Sequence, residues 1–218
     1  MSEPQTKLAL IGMYDSPFVR RVAVSLHLLG FSYEHRNWSV GRDFERIRAF
    51  NPLGRVPTLV LEDGTSLIES GAILDHLDER AGPARALLPV AGPRRRQALR
   101  LMSMATGAAE KAVLQVYETV FRPAEKRHEP WVERCRQQMF SALDELERSA
   151  AAASEGWLLG EALTQADVTV SCMFVFADEA VQAASQAGRF EALQALRARC
   201  EALPEFRATY SRFFPPNS

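Results

Sequence analysis

Three short stretches in the first third of the chain carry residue types and spacings that could act together on one ligand. The first is Tyr14-Asp15-Ser16-Pro17-Phe18-Val19-Arg20-Arg21-Val22. A serine followed by proline reads as an N-cap with proline at the first helical position, where its missing N–H costs nothing. The Ser16 hydroxyl then sits beside backbone N–H groups that have no helical partner, at the positive end of the helix dipole. That setting favours a thiolate over a thiol. Lowering a thiol pKa of about 8.5 by about two units takes about 2.7 kcal/mol of differential stabilisation. A hydroxyl bonded to an anion, about 1.5–3 kcal/mol, together with a helix terminus supplies that much. The same serine would equally serve as a plain helix cap.

The second stretch is Asn51-Pro52-Leu53-Gly54-Arg55-Val56-Pro57-Thr58-Leu59. A proline directly before a strand is a candidate for a cis bond, which would turn the Val56 N–H and C=O outward as an unpaired edge. An extended peptide could pair with that edge as an added strand. A trans proline that opens the strand is the alternative. The third is Glu69-Ser70 at the start of a helical pattern. A serine hydroxyl and fresh backbone amides there would hold a carboxylate, and Glu69 could take an ammonium, so one amino-acid head group would satisfy both. An acidic first turn with a serine cap explains the pair as well.

The elements that must position these stretches follow from periodicity. Lys7 to Gly12 is a short, nearly continuous apolar run, as in a strand covered on both faces. Val19, Val22, Ala23, Leu26 and Leu29 recur at helical spacing and Gly30 supplies the stop. Ser32 to Trp38 reads as a strand and Asp43 to Ala49 as a polar helical turn. Pro57 to Leu61 and Ser66 to Ile68 flank Glu62-Asp63-Gly64-Thr65, a hairpin signal. Glu69 to Arg80 returns to helical spacing, with Ile73, Leu74 and Leu77 as its stripe. The order is β-α-β-α-β-β-α over 1–82, followed by a glycine- and proline-punctuated linker over 83–93.

Beyond the linker, strand signals nearly vanish, and 94–218 reads as an all-helical domain. Helical patterns run from about Arg94 to Phe121, from about Pro130 to Ala152, from Phe190 to Cys200 and from Pro204 to Phe213. Val168 to Phe176 is apolar on all sides and partly β-branched, which suits a buried strand or a buried helix. The preceding Thr164-Gln165-Ala166-Asp167 decides for a helix: it is a capping-box variant, with Leu163 and Val168 placed for a hydrophobic staple. Thr164 and Asp167 are therefore structural residues.

Composition excludes several functions. Twenty-six Lys and Arg against 27 Asp and Glu leave a net charge of -1, with no basic excess to displace counterions from nucleic acid. The longest apolar stretch, Val168 to Ala177, is too short to span a bilayer, which takes about 20 residues. The opening MSEPQTK does not read as a signal peptide. Cys135, Cys172 and Cys200 stand singly, and His27, His35, His76 and His128 have no ligand spacing, so neither disulfides nor a metal site are expected. A reducing cytoplasm is the expected compartment.

The runs SPFVRRV and NPLGRVPTL, and a helix opening on ES, resemble the glutathione transferase superfamily over essentially the whole chain. The LTQADV box is similar to the one the family carries before a buried helix. The resemblance implies an α/β thioredoxin-like N-terminal domain (βαβαββα) plus an all-α C-terminal helical bundle domain. It implies a glutathione transferase in which Ser16, as in tau-, theta- and zeta-type members, donates a hydrogen bond to the glutathione sulfur. Val56 would pair with the cysteinyl part and Pro57 would be the cis-proline. Glu69 and Ser70 would hold the γ-glutamyl head, and Arg55 would lie near the glycyl end. Tyr14 is a rival thiolate partner, because other classes use a tyrosine from this neighbourhood. The second substrate would be a small hydrophobic electrophile in a pocket between the domains, for which Met13, Tyr14, Met104, Ala108, Lys111 and Tyr117 are candidates. A homodimer is implied too, with the N-terminal domain of one subunit against the helical domain of the other. A glutathione-dependent isomerase or lyase, or a non-catalytic partner-binding protein like stringent starvation protein A, is the alternative. The lack of a cysteine near Ser16 disfavours redox-type members, and the lack of the zeta-type serine- and cysteine-containing run disfavours a maleylacetoacetate isomerase.

Overall fold

The computed structural model describes residues 7–153, 156–185 and 189–215. Its Cα packing divides the chain into two compact units, one running to Leu87 and taking in Glu205–Ser211, the other formed by Leu88–Pro204 and the residues from Arg212.

In the first unit β1 (Leu8–Ile11), β2 (Tyr33–Arg36), β3 (Thr58–Val60) and β4 (Ser66–Ile68) form one sheet in the order β2-β1-β3-β4. β1 and β2 run parallel, whereas β3 is antiparallel to both β1 and β4. Alternate residues of β1 explain its unbroken apolar run. Leu8 and Leu10 face α1 (Pro17–Leu28) and α3 (Ser70–Ala81) in a cluster with Val19, Val22, Leu26, Leu59, Ile73 and Leu77. Ala9 and Ile11 face the other way, against Ile47 of the short α2 (Phe44–Arg48) and Val60. With both faces covered, polar residues have no place in this strand. β1, β2 and β3 are each shorter by two residues or more than the stretch read as a strand, because the ladder ends where the loops leave the sheet, whereas β4 spans Ser66–Ile68 as expected.

The second unit holds α4 (Gly92–Val120), a short 3-10 turn (Ala124–Lys126), α5 (Glu129–Ala152), α6 (Gln165–Val181) and α7 (Glu191–Glu201). α4 starts at Gly92 rather than Arg94, with Pro93 in the first turn, where no N–H is needed. Every residue of α6 from Gln165 to Ala177 is buried, so the ambiguous apolar run is a helix packed all round. Asp167 anchors its start. One carboxylate oxygen accepts from the Thr164 N–H at 2.8 Å and the Thr164 hydroxyl at 2.7 Å, the other from the Leu158 N–H at 2.7 Å.

The C-terminal helix departs from expectation. α8 spans only Pro204–Ala208, not Pro204 to Phe213, and Glu205–Ser211 packs with the first unit instead of completing a helical domain over 94–218. Arg20 of α1 donates to the Phe206 carbonyl at 3.2 Å and lies over the Tyr210 ring at 5.0 Å. The Thr209 hydroxyl takes the Glu205 carbonyl at 3.0 Å. With these carbonyls satisfied, the segment gains nothing by continuing as a helix.

Candidate functional site

β1 is followed by Gly12, whose N–H extends the ladder to the Arg36 carbonyl at 3.0 Å. Gly12 has φ 131°, and a Cβ there would meet Val19 Cγ2 at 2.5 Å and Val56 Cβ at 2.8 Å. Only glycine fits between α1 and the loop that carries Val56. The chain then turns through Met13–Ser16, closed by the Ser16 N–H on the Met13 carbonyl at 3.1 Å. Ser16 is the N-cap of α1 in extended conformation, with Pro17 in the first turn. Its Oγ lies 3.5 Å from the Val19 N–H, at the outer limit of a hydrogen bond, so the half-buried hydroxyl is only loosely engaged inside the protein.

The second loop is pinned by Asn51, which is buried. Its Nδ2 donates to the Arg55 carbonyl at 2.8 Å and its Oδ1 accepts from the Leu53 N–H at 3.0 Å. Gly54, at φ 62°, lies under the Phe44 ring. The Val56–Pro57 peptide is cis. Among the described residues, neither the Val56 N–H nor its C=O takes part in a hydrogen bond. The Arg55 side chain is exposed and makes no ion pair among them.

The third loop ends at Glu69, the N-cap of α3, which has φ 70° although it is not a glycine. Its exposed carboxylate accepts from the Gly71 N–H at 2.9 Å and from the Ser70 hydroxyl at 3.3 Å. Ser70 is wholly buried, and its Oγ accepts from Arg21 Nη2 at 2.6 Å. The Ser70 hydroxyl is therefore held between Arg21 and Glu69. A backbone held in a disfavoured region at a charged side chain marks a site of strain.

All three stretches converge on the first two turns of α1: Ser16 caps it, Val56 packs on Gly12 just before it, and Ser70 is bonded to Arg21 within it. Nothing in the sequence pattern assigns Arg21 this role. The available signal is a pair of cations, Arg20 and Arg21, falling between Val19 and Val22 of the apolar stripe, and it does not tell the two apart.

Tyr14 goes elsewhere. Its ring stacks on His35 of β2, with centroids 3.9 Å apart and planes 2° apart, and its hydroxyl bonds the Tyr33 hydroxyl at 2.7 Å. Tyr33 in turn lies 3.2 Å from His27 Nε2. Burial raises the Tyr14 phenol pKa, partly offset by the Tyr33 bond, and burial together with Tyr14 pushes Tyr33 well up. Both are neutral phenols at ordinary pH, and the Tyr14 hydroxyl is committed to β2 and not to the α1 cap.

The pocket candidates on α4 do not share one face. Met13 lies half-buried in the turn before Ser16. Met104 and Lys111 line a groove of about 880 Å³ between α4 and α5, with Pro130, Glu133 and Arg134. Ala108, between them on the helix, is 1% exposed and faces the helical core. Tyr117 is exposed on another face of α4, against Phe121 at 5.1 Å. Among the described residues no three His, Cys, Asp or Glu side chains are grouped to hold a metal ion, and no helix is long and apolar enough to cross a membrane.

The comparisons agree with this architecture. The family model for the glutathione S-transferase N-terminal domain matches residues 10–85, and that for the C-terminal domain matches residues 129–212. The chain is 29% identical over 165 residues to the GST-like protein YibF of Escherichia coli, covering 76% of this chain and 79% of that protein. It is 38% identical over 86 residues to a maleylacetoacetate isomerase of Pseudomonas aeruginosa, covering 37% of this chain and 40% of the isomerase. A glutathione S-transferase from Methylobacillus flagellatus, solved with GSH bound, superposes with a TM-score of 0.85 at 25% identity, covering 93% of this chain and 98% of that one. By its two domain matches, its four-stranded thioredoxin-like sheet and its helical second unit, this chain belongs to the glutathione S-transferase superfamily.

Proposed function

We propose that the protein is a glutathione transferase that ionises the glutathione thiol at Ser16 and directs it at a small hydrophobic electrophile. The observation that carries this reading is the Val56 backbone: its N–H and C=O are unpaired among the described residues, and it stands against Gly12 in the loop that ends at Ser16. Glutathione is an extended peptide, and pairing with Val56 would lay its cysteinyl residue beside the α1 cap. The exposed Glu69 carboxylate would receive the γ-glutamyl ammonium, with Ser70 and Arg21 holding that carboxylate in place, while the Ser70 N–H and the α3 terminus would lie near the α-carboxylate. Arg55, exposed and without an ion pair among the described residues, suits the glycyl carboxylate.

Ser16 acts as a donor. An alcohol is far too weakly acidic to serve as the anion here, whereas its O–H can stabilise a sulfur anion beside a helix N-terminus. The thiolate then forms a bond to an electrophilic carbon, and the leaving group departs with the bonding pair or, in an addition, the electrons move onto the acceptor. Catalysis comes from thiolate stabilisation and positioning. We place the protein in the cytoplasm as a homodimer, which a sedimentation profile would test.

The test is calorimetry with glutathione followed by turnover on a panel of aryl halides and epoxides. Binding with turnover supports the reading. Binding without turnover on any electrophile moves the protein to the partner-binding class, and turnover on isomerisable or ether substrates alone moves it to the isomerases and lyases.

A further inference from the structure

We infer that His35 is a positioning residue for the turn that presents Ser16, an inference that rests on the proposed glutathione site. His35 lies on β2, the edge strand beside β1, and sits one residue before Arg36, which pairs with Ile11. From there its imidazole makes two contacts of different kinds. Its Nε2 lies 2.8 Å from the Gly12 carbonyl oxygen, and since a carbonyl only accepts, Nε2 carries the proton and donates. Its face lies parallel to the Tyr14 ring at 3.9 Å.

Those two residues bracket the start of the Met13–Ser16 turn. The peptide groups on either side of Gly12 are fixed, one by the N–H on the Arg36 carbonyl and the other by His35 on the Gly12 carbonyl. Gly12 is also wedged between Val19 of α1 and Val56. Rotation of the Gly12–Met13 peptide would therefore move the Met13 carbonyl that closes the turn onto the Ser16 N–H. Tyr14, stacked over His35, keeps the middle of the turn from swinging out. An imidazole is suited to this place because it donates in its plane and stacks through its face at once. Phenylalanine can stack but not donate, and glutamine can donate but has no aromatic face.

That difference supplies the experiment. His35→Phe keeps the stack and loses the donor; His35→Gln keeps a donor at similar reach and loses the stack. The readout is the pH titration of thiolate absorbance of glutathione bound to each full-length variant, alongside glutathione affinity and melting temperature. We expect His35→Phe to raise the bound thiol pKa by about one unit, a thiolate-to-thiol ratio about tenfold lower in the range where both forms are present, with the dissociation constant measured at about pH 5 within about twofold of wild type. We expect His35→Gln to recover at least half of that shift. An unshifted titration in His35→Phe overturns the inference, and so does an equal shift in both variants, which would mark a merely structural residue. If the wild-type protein binds no glutathione, the proposed function fails by that result alone. Amide hydrogen exchange over residues 13–18 then decides the matter: faster exchange in His35→Phe than in His35→Gln supports the positioning role, and equal exchange overturns it.

Discussion

Arg21 and Ser70, 49 positions apart in the chain, are joined by a hydrogen bond of 2.6 Å in which the α1 guanidinium donates to the hydroxyl at the start of α3. The Ser70 hydroxyl has one proton, and with Arg21 filling an acceptor position it donates its hydrogen bond to the Glu69 carboxylate. The pair thus sets the direction of an exposed acid on a strained backbone from a wholly buried base. Glu69→Gln retains an acceptor for the Gly71 N–H but removes the charge. We expect it to weaken glutathione binding about tenfold, the loss of one charge-assisted bond, while the melting temperature stays within about two degrees of wild type. Calorimetry and a thermal melt check both halves, and unchanged affinity would remove Glu69 from the site.

Ser16→Ala should raise the pKa of bound glutathione by about one to two units, because the hydroxyl donor is lost while the helix terminus remains. Tyr14→Phe should leave that titration near wild type, since the phenol is bonded to Tyr33. The reverse pattern would transfer the thiolate role to Tyr14.

Gly12→Ala should be among the most damaging small substitutions in the first unit. The added methyl meets two valines at 2.5 and 2.8 Å, and the residue is held at φ 131°. Overpacking and backbone strain together predict about 2–4 kcal/mol of destabilisation, read as a shift in the urea midpoint.

Asp167→Ala removes the acceptor for two backbone N–H groups and one hydroxyl at the start of α6. Losing the cap and leaving the Leu158 N–H buried without a partner predicts about 2–4 kcal/mol, and chemical denaturation followed by far-ultraviolet dichroism measures it. A loss below about 0.5 kcal/mol would show that the box does not hold the helix.

The Tyr14–Tyr33 pair predicts an alkaline weakness. Both phenols have folded pKa values above the ordinary 10.0, chiefly through burial. Above pH 10 the unfolded chain releases these protons while the native state keeps them, so stability is whole below that pH and falls as pH rises through the folded values. Denaturation midpoints at about pH 9 and about pH 11 should differ less in the Tyr14→Phe, Tyr33→Phe double variant than in wild type. An equal fall in both proteins would place the alkaline sensitivity elsewhere.

The chain's own order of residues was enough for the elements up to α7, for the three stretches that meet at α1 and for the buried helix at 165–181, because each rests on short-range physics. Ser16-Pro17 starts a helix, Asp63-Gly64 turns a hairpin and Thr164 with Asp167 caps α6 within a few residues of themselves. The partners across the fold were decided only by the tertiary structure. Arg20 and Arg21 are neighbours in sequence, yet about 100° of helical rotation separates them. One therefore reaches the Phe206 carbonyl and draws α8 into the first unit, and the other reaches Ser70. The parallel register of β1 and β2 brings His35 to Gly12 and Tyr14 to Tyr33, which takes the tyrosine hydroxyl away from the α1 cap. Donors and acceptors can be counted from sequence, but a hydrogen bond acts over about 3 Å, and only the packed chain determines which of them come that close.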